Sequence, residues 1–302
     1  MALAVSRSSL SASTFLESAF ETFQASNARA KDENDVLASV IPTIIGPYRP
    51  THASARNTVF KNLEPLTDGT IAPAVPDIYY GAHPEDLCRS VRDELTHHIM
   101  PSTMKDKPLV PNFFIEVKGP DGSAAVATRQ ARYDGAAGSR AMHSLQNYEE
   151  EGLQYDGQAY TFSSIYHGGT GTLQLYAHHL TAPTTEGGRP EYHMTQLRTF
   201  SMINSRDTYI QGATRDNNET LQQHITHAIR CKFREGSEAA ASPQPLRTES
   251  DSNGPGQSPV AQRVDPSISF TSSFRGAKRP MQMMELPSQS GGNRSSKRRR
   301  SA

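Results

Sequence analysis

Apolar residues recur at helical spacing near the start of the chain. Phe15, Ala19, Phe20 and Phe23 fall on one side of a helix expected over residues 14–30. Residues 31–40 either extend it or start a second helix, ended by Pro42. The segment 71–82 contains the strand-like run Pro76-Asp77-Ile78-Tyr79-Tyr80-Gly81-Ala82, and 84–99 reads as one helix opening on Pro84, Glu85 and Asp86, where acids suit the positive end. The clearest strand is 112–118, Asn-Phe-Phe-Ile-Glu-Val-Lys, and an Ala-rich helix is expected over 123–148. Three further strands at 159–166, 172–180 and 192–203 are separated by turns containing Gly and Pro. A last helix over 219–233 carries Leu221, Ile225, Ala228 and Ile229 on one side. This order predicts an α/β domain with a mixed central sheet flanked by helices.

The pattern stops near Glu235. Beyond it the chain is rich in Ser, Pro, Gly and charge, with too few large apolar residues to offset the entropy of ordering it, so 236–302 is expected to be disordered. Residues 1–12 are expected to be loose, and the domain to span 13–235. From Gly236 onward there are 10 Lys/Arg and 5 Asp/Glu, leaving 21 and 26 in residues 1–235. The basic tail and mildly acidic body argue against broad electrostatic capture of nucleic acid by the body, while allowing a local basic cleft. No apolar run reaches the roughly 18 residues that cross a bilayer, and Pro42 interrupts the longest, 36–45, so no membrane is expected. Met1–Leu16 has one Arg and no acid, a faint likeness to a mitochondrial presequence that a loose terminus shares. The two cysteines, Cys88 and Cys231, suit a reducing compartment.

Candidate chemistry lies at the end of the strongest strand. Alternation along 112–118 puts Glu116 and Lys118 on one face and Ile115 and Val117 on the other, and Gly119-Pro120 ends the strand just beyond. A solvated ion pair at a sheet edge would account for two such charges at a few tenths of a kcal/mol. Asp77 adds to them. If 76–80 pairs with 112–118, its carboxylate approaches Glu116, and a hard divalent cation such as Mg²⁺ would relieve the repulsion. Two acids and a lysine are the parts a metal-assisted phosphodiester hydrolase requires.

Pro76-Asp77, then Glu116-x-Lys118 ending an apolar strand, then a helix, resembles the PD-(D/E)xK nuclease superfamily. Gln130, in Thr-Arg-Gln-Ala-Arg-Tyr-Asp, is similar to the helix glutamine of its RecB-like and YqaJ-like members, and Glu33 to the acid on their first helix. The segments FFIEVKG, YHGGTGTLQLYAHHL and EYHMTQLRTFSM resemble a family of fungal proteins assigned a nuclease-like domain of this superfamily, over about residues 30–232. The resemblance implies a restriction-endonuclease-like core, Asp77 and Glu116 as Mg²⁺ ligands, Lys118 beside the attacking water, Gln130 and Glu33 in support, and nucleic acid as substrate. It also implies an alternative, an inactive module that kept the fold and serves as a nuclear binding or scaffold protein. E-x-K alone arises by chance in about half of chains this long, so the weight rests on the combination. One departure is the helix expected at 84–99, where many members have a close hairpin. Asp68 and Asp106 are weaker substitutes for Asp77, since neither sits in a strand-like run.

Other groupings have plainer readings. His224, His227 and Cys231 share a face of the last expected helix, which suits packing better than zinc because no fourth ligand is evident. His178 and His179, adjacent in a strand, point to opposite faces. Tyr166, Tyr176 and Tyr192 read as packing residues ahead of base-stacking ones. Gly168-Gly169-Thr170-Gly171 lacks the Gly-Lys-Ser/Thr ending of a phosphate loop and reads as a hairpin turn. In the tail, Lys278-Arg279 and Lys297-Arg298-Arg299-Arg300 resemble a bipartite nuclear localisation signal, which implies a nuclear import receptor as partner and the nucleus, ahead of the cytoplasm, as destination.

Overall fold

A computed structural model describes residues 10–11, 14–46 and 53–215, all within one compact unit, Met1–Gln244. The elements are α1 (Glu17–Arg29), α2 (Glu33–Ser39), α3 (Ile41–Ile45), β1 (Ala53–Arg56), β2 (Ile78–Ala82), α4 (Arg89–Glu94), α5 (Thr96–Ile99), β3 (Leu109–Lys118), α6 (Ala124–Gln146), β4 (Thr161–His167), β5 (Thr172–Thr181), β6 (Glu191–Ser201) and α7 (Arg206–Arg215). The expected last helix (219–233), the tail and its basic clusters lie outside the described residues, as does the His224, His227 and Cys231 group. No helix among the described residues is long and apolar enough to cross a membrane.

The six strands form one mixed sheet in sequence order, β1 to β6. β1, β2 and β3 run antiparallel, β3 and β4 are parallel, and β4, β5 and β6 return to antiparallel pairing. The single parallel step needs a crossover, and α6 supplies it. Ser123 caps α6 by accepting from the Val126 N–H, and its Ala-rich sequence then favours helix.

Alternation in β3 divides the core. Phe113, Ile115 and Val117 join Ile78 on the face covered by α1, α2, α3 and α7, against Phe20, Phe23, Val36, Ile44 and Tyr209. Phe114 lies on the other face with Tyr79, Phe60 and Tyr133 of α6, while Ile165 and Tyr176 meet Ala127 and Ala131 of the same helix. All ten positions of β3 are buried, as expected of a central strand covered on both sides.

Four expectations change. Residues 84–99 do not form one helix: a short 3-10 turn (Pro84–Asp86), α4 and α5 replace it, with Leu87 and Cys88 extended between the first two. Asn62 donates its side-chain amide to the Thr96 and Met100 carbonyls, holding the last piece in place. Pro42 does not terminate helical structure but sits in the first turn of α3, where its missing N–H costs nothing. β1 escapes the sequence pattern because it is four residues long and half polar. α7 escapes it as well; its Tyr209 and Ala213 are buried, and Tyr209 stacks on Phe15 with centroids 4.8 Å apart. Gly168–Gly171 does link the antiparallel strands β4 and β5.

α6 lies so close to the sheet that Gly135 meets His178 on β5, and a Cβ added there would sit 2.1 Å from Nδ1 of the ring. A helix-interior glycine normally costs about 0.5–1 kcal/mol relative to alanine. Here the sign reverses. Gly135→Ala is expected to lower the unfolding free energy by about 1–3 kcal/mol in urea titration. Gly152→Ala, where nothing lies within 4 Å, should change it by less than about 0.5 kcal/mol. An unchanged midpoint for Gly135→Ala would contradict this packing.

Candidate active site

The β2–β3 ladder positions the first two acids. Ile78 pairs with Ile115, so the next antiparallel step sets Asp77 opposite Glu116, both on the face covered by α6. The ladder register shifts between Tyr80 and Ala82, on the side of the intervening 3-10 turn, α4 and α5, and is regular from Tyr80 back to Ile78. Asp77 is anchored by its Oδ2, which accepts from the Val117 N–H at 2.7 Å.

Lys118 occupies the strand tip, two residues beyond Glu116, and its charge acts on Asp77, Glu116 and Asp134. Its ammonium donates to Glu33 Oε2 at 3.0 Å and to the Val117 carbonyl at 2.7 Å. Glu33 belongs to α2, whose Val36 packs with Val117 on the opposite side of the sheet from α6. The ion pair therefore joins the two layers at the end of β3, and the Lys118 stem runs beside Gly122, just ahead of α6, where an added Cβ would lie 2.7 Å from Lys118 Cβ. Asp32 caps α2 by accepting from the Asp35 N–H, which fixes Glu33 in the first helical turn.

A fourth acid joins from α6. Asp134 lies four residues, one helical turn, after Gln130, so both share a side of the helix. The exposures are 0% for Glu116, 2% for Asp134, 6% for Lys118 and 8% for Asp77. Neither Glu116 oxygen has a hydrogen-bond donor, and Asp134 Oδ2 and Gln130 Oε1 also lack partners. Burial raises the Glu116 pKa most, with the Asp134 and then the Asp77 carboxylate adding to it. Burial raises Asp134 to about 7, with the Asp77 carboxylate adding to the shift and the Lys118 charge opposing it. Asp77 is raised by burial too, against the Val117 hydrogen bond and the Lys118 charge. Glu116 and Asp134 are thus two neighbouring buried acids, and ionising either makes the other harder to ionise.

The structure brings Asp77, Glu116, Lys118 and Glu33 together, with half-buried Gln130 on the helix above. Asp68 and Asp106 spend their carboxylates locally, on Thr70 and Lys107. Asp134 is the residue that sequence reasoning misses, although its spacing from Gln130 is an available signal. Tyr166 and Tyr176 are buried packing residues, and His178 is buried while His179 is not.

Among the described residues, no three or more His, Cys, Asp or Glu side chains are arranged to hold a metal ion. A cation here would rest on two carboxylates and water, an ordinary arrangement for Mg²⁺. The donor chemistry fits: Glu116 offers two unpartnered oxygens, and Asp77 keeps Oδ1 beyond its bond to Val117.

Fold and site define a mixed α/β protein with a buried carboxylate–lysine cluster where its central strand ends. The chain belongs to the family of a domain of unknown function, DUF7924, which matches residues 21–228. No curated protein and no solved structure matches it.

The raised acids set a pH dependence. Once pH exceeds the ordinary carboxyl range, the unfolded chain has released protons that folded Glu116 and Asp134 retain. Stability then falls as pH rises, from about 4 through the Asp134 value of about 7. Glu116→Gln removes the charge cost and supplies a donor to Asp134. It is expected to raise stability at pH 8 by about 1–2 kcal/mol and to flatten the slope between pH 5 and 8 in denaturant titrations. A loss of stability at pH 8 would contradict the raised pKa of Glu116.

Proposed function

We propose that this protein is a metal-dependent phosphodiester hydrolase of the PD-(D/E)xK type, acting on nucleic acid in the nucleus. The observation that carries the reading is the β2–β3 register, with Asp77 opposite Glu116 and Lys118 two residues further on. The order of parts supports it as well: an acid on a helix before the sheet, Pro-Asp entering one strand, Glu-x-Lys ending its neighbour, then a helix with Gln130. This is the order the superfamily resemblance implies, with a restriction-endonuclease-like core.

Asp77 and Glu116 would hold Mg²⁺, which supplies charge to polarise a phosphoryl oxygen and acidify bound water. The chain's own groups do the rest. Glu33 holds the Lys118 ammonium at the strand tip, where it stabilises negative charge developing on the phosphate or orients the attacking water. Asp134 makes Glu116 harder to ionise, and a cation held by Asp77 and Glu116 would favour the ionised forms. Gln130, with its free carbonyl oxygen, is placed to accept a hydrogen bond from water or from a nucleotide amino group. The basic clusters at Lys278-Arg279 and Lys297–Arg300 would engage a nuclear import receptor.

The full burial of Glu116 favours a second reading, a module that keeps the fold without the chemistry. The two separate in one assay. Purified protein with Mg²⁺ or Mn²⁺ is expected to cleave DNA or RNA, and Lys118→Met, which keeps the packed stem, to lower the rate by about 10²-fold or more with an unchanged melting temperature. Absence of cleavage, together with no metal binding by calorimetry, would remove the hydrolase and leave the module. Neutralising Lys297, Arg298, Arg299 and Arg300 to Ala should shift a fluorescent fusion from nucleus to cytoplasm; unchanged nuclear signal would remove the import assignment.

A further inference from the structure

The sheet edge beside Asp77 borders a cleft of about 490 Å³. One wall is the stretch 56–62 as the chain leaves β1, and the other is the loop 102–107 that precedes β3. Arg56, Lys61 and Lys107 line it, and no Asp or Glu does. Lys107 is paired with neighbouring Asp106 at 3.0 Å. Arg56 and Lys61 are exposed and have no ion-pair partner among the described residues. An all-cationic lining stands out on a body with 21 Lys/Arg against 26 Asp/Glu. Apolar surface interleaves with the charge: Val59 is 36% and Met104 49% exposed. The cleft is also tied to the candidate active site, because the Asn57 N–H donates to the Asp77 carbonyl at 3.2 Å. Asn57 thus sits one strand spacing, about 5 Å, from the residue carrying the first acid.

We propose that this cleft seats a nucleic-acid strand, with Arg56 and Lys61 on backbone phosphates and Val59 and Met104 against sugar and base. Cations alone would suit any anion; cations interleaved with apolar groups suit a polymer that alternates phosphate with nucleoside. The inference rests on the hydrolase reading for its choice of a phosphodiester ligand and adds where that polymer lies. A strand held against Asn57 lies one strand spacing from the Asp77 backbone.

The test uses the full-length chain with Lys297, Arg298, Arg299 and Arg300 changed to Ala, so that the tail does not mask the cleft. Binding of a labelled single-stranded oligonucleotide about 20 nucleotides long is followed by fluorescence anisotropy across a salt series, with metal chelated throughout. Adding Arg56→Glu and Lys61→Glu should weaken binding at least about tenfold and flatten the salt slope by about 0.7 for each phosphate no longer neutralised. Both side chains are exposed, so the melting temperature should hold. If the reversed pair unfolds the protein, Arg56→Gln and Lys61→Gln give the same comparison at reduced size. Affinity within about twofold of the parent, with an unchanged salt slope, would overturn the proposal. So would a polyglutamate peptide that displaces the oligonucleotide as well as unlabelled oligonucleotide does. Chelation separates this test from the reading above. Cleft-dependent binding by a chain that never cleaves would retain the cleft and remove the hydrolase, whereas cleavage that survives reversal would do the opposite.

Discussion

Glu116 sits on the central strand, under α6, with no hydrogen-bond donor to either oxygen. An ionised carboxylate in that position costs several kcal/mol, and the surrounding structure reduces the cost without abolishing it. Asp134 adds to that cost, whereas the Lys118 ammonium lies close enough to lower the Glu116 pKa. Asp77, by contrast, gains a backbone N–H. A sheet with both faces covered would be more stable with an apolar side chain at Glu116. Retaining an acid there is the kind of local disagreement with folding rules that accompanies a functional site.

The same constraint explains what could be read from the sequence. The run from Phe113 to Val117 is apolar enough to announce a covered strand, and charges at 116 and 118 interrupt it conspicuously. Long elements with a clear period, such as α1, α6, β3 and β5, follow from side-chain spacing alone. The Asp77–Glu116 pairing does not. It depends on β2 and β3 meeting across the 3-10 turn, α4 and α5, and no local pattern encodes that register. Asp134 is hidden for a related reason: on an Ala-rich helix its neighbours mark a packed face, and its partner is a residue on β3. The pairing of Lys118 with Glu33 is equally invisible, since the two lie 85 residues apart in sequence. β1 and the broken 84–99 region escape because they are short, and propensity there carries little weight against tertiary packing.

The cluster joins elements from both sides of the sheet. Glu33 on α2 and Asp134 on α6 belong to opposite layers, and β3 connects them through adjacent residues at its tip. The ammonium beside the acid cluster is thus held, through Glu33, from the layer opposite that of Asp134. The basic cleft lies along the outer margin of the same three antiparallel strands, where the chain leaves β1. Chemistry and charge thus gather around one half of the sheet, while β5 and β6 extend the other.

The lone parallel pairing between β3 and β4 also constrains how the molecule is assembled. Antiparallel neighbours can zip from a tight turn, but β4 reaches β3 only after α6 and the loop behind it have been laid along the sheet. Closing that long excursion requires Gly135 to nestle against His178, a juxtaposition absent from any partly formed meander. Without α6 in place Glu116 would face water and ionise in the ordinary range, so the unusual protonation of the cluster depends on the docked crossover helix.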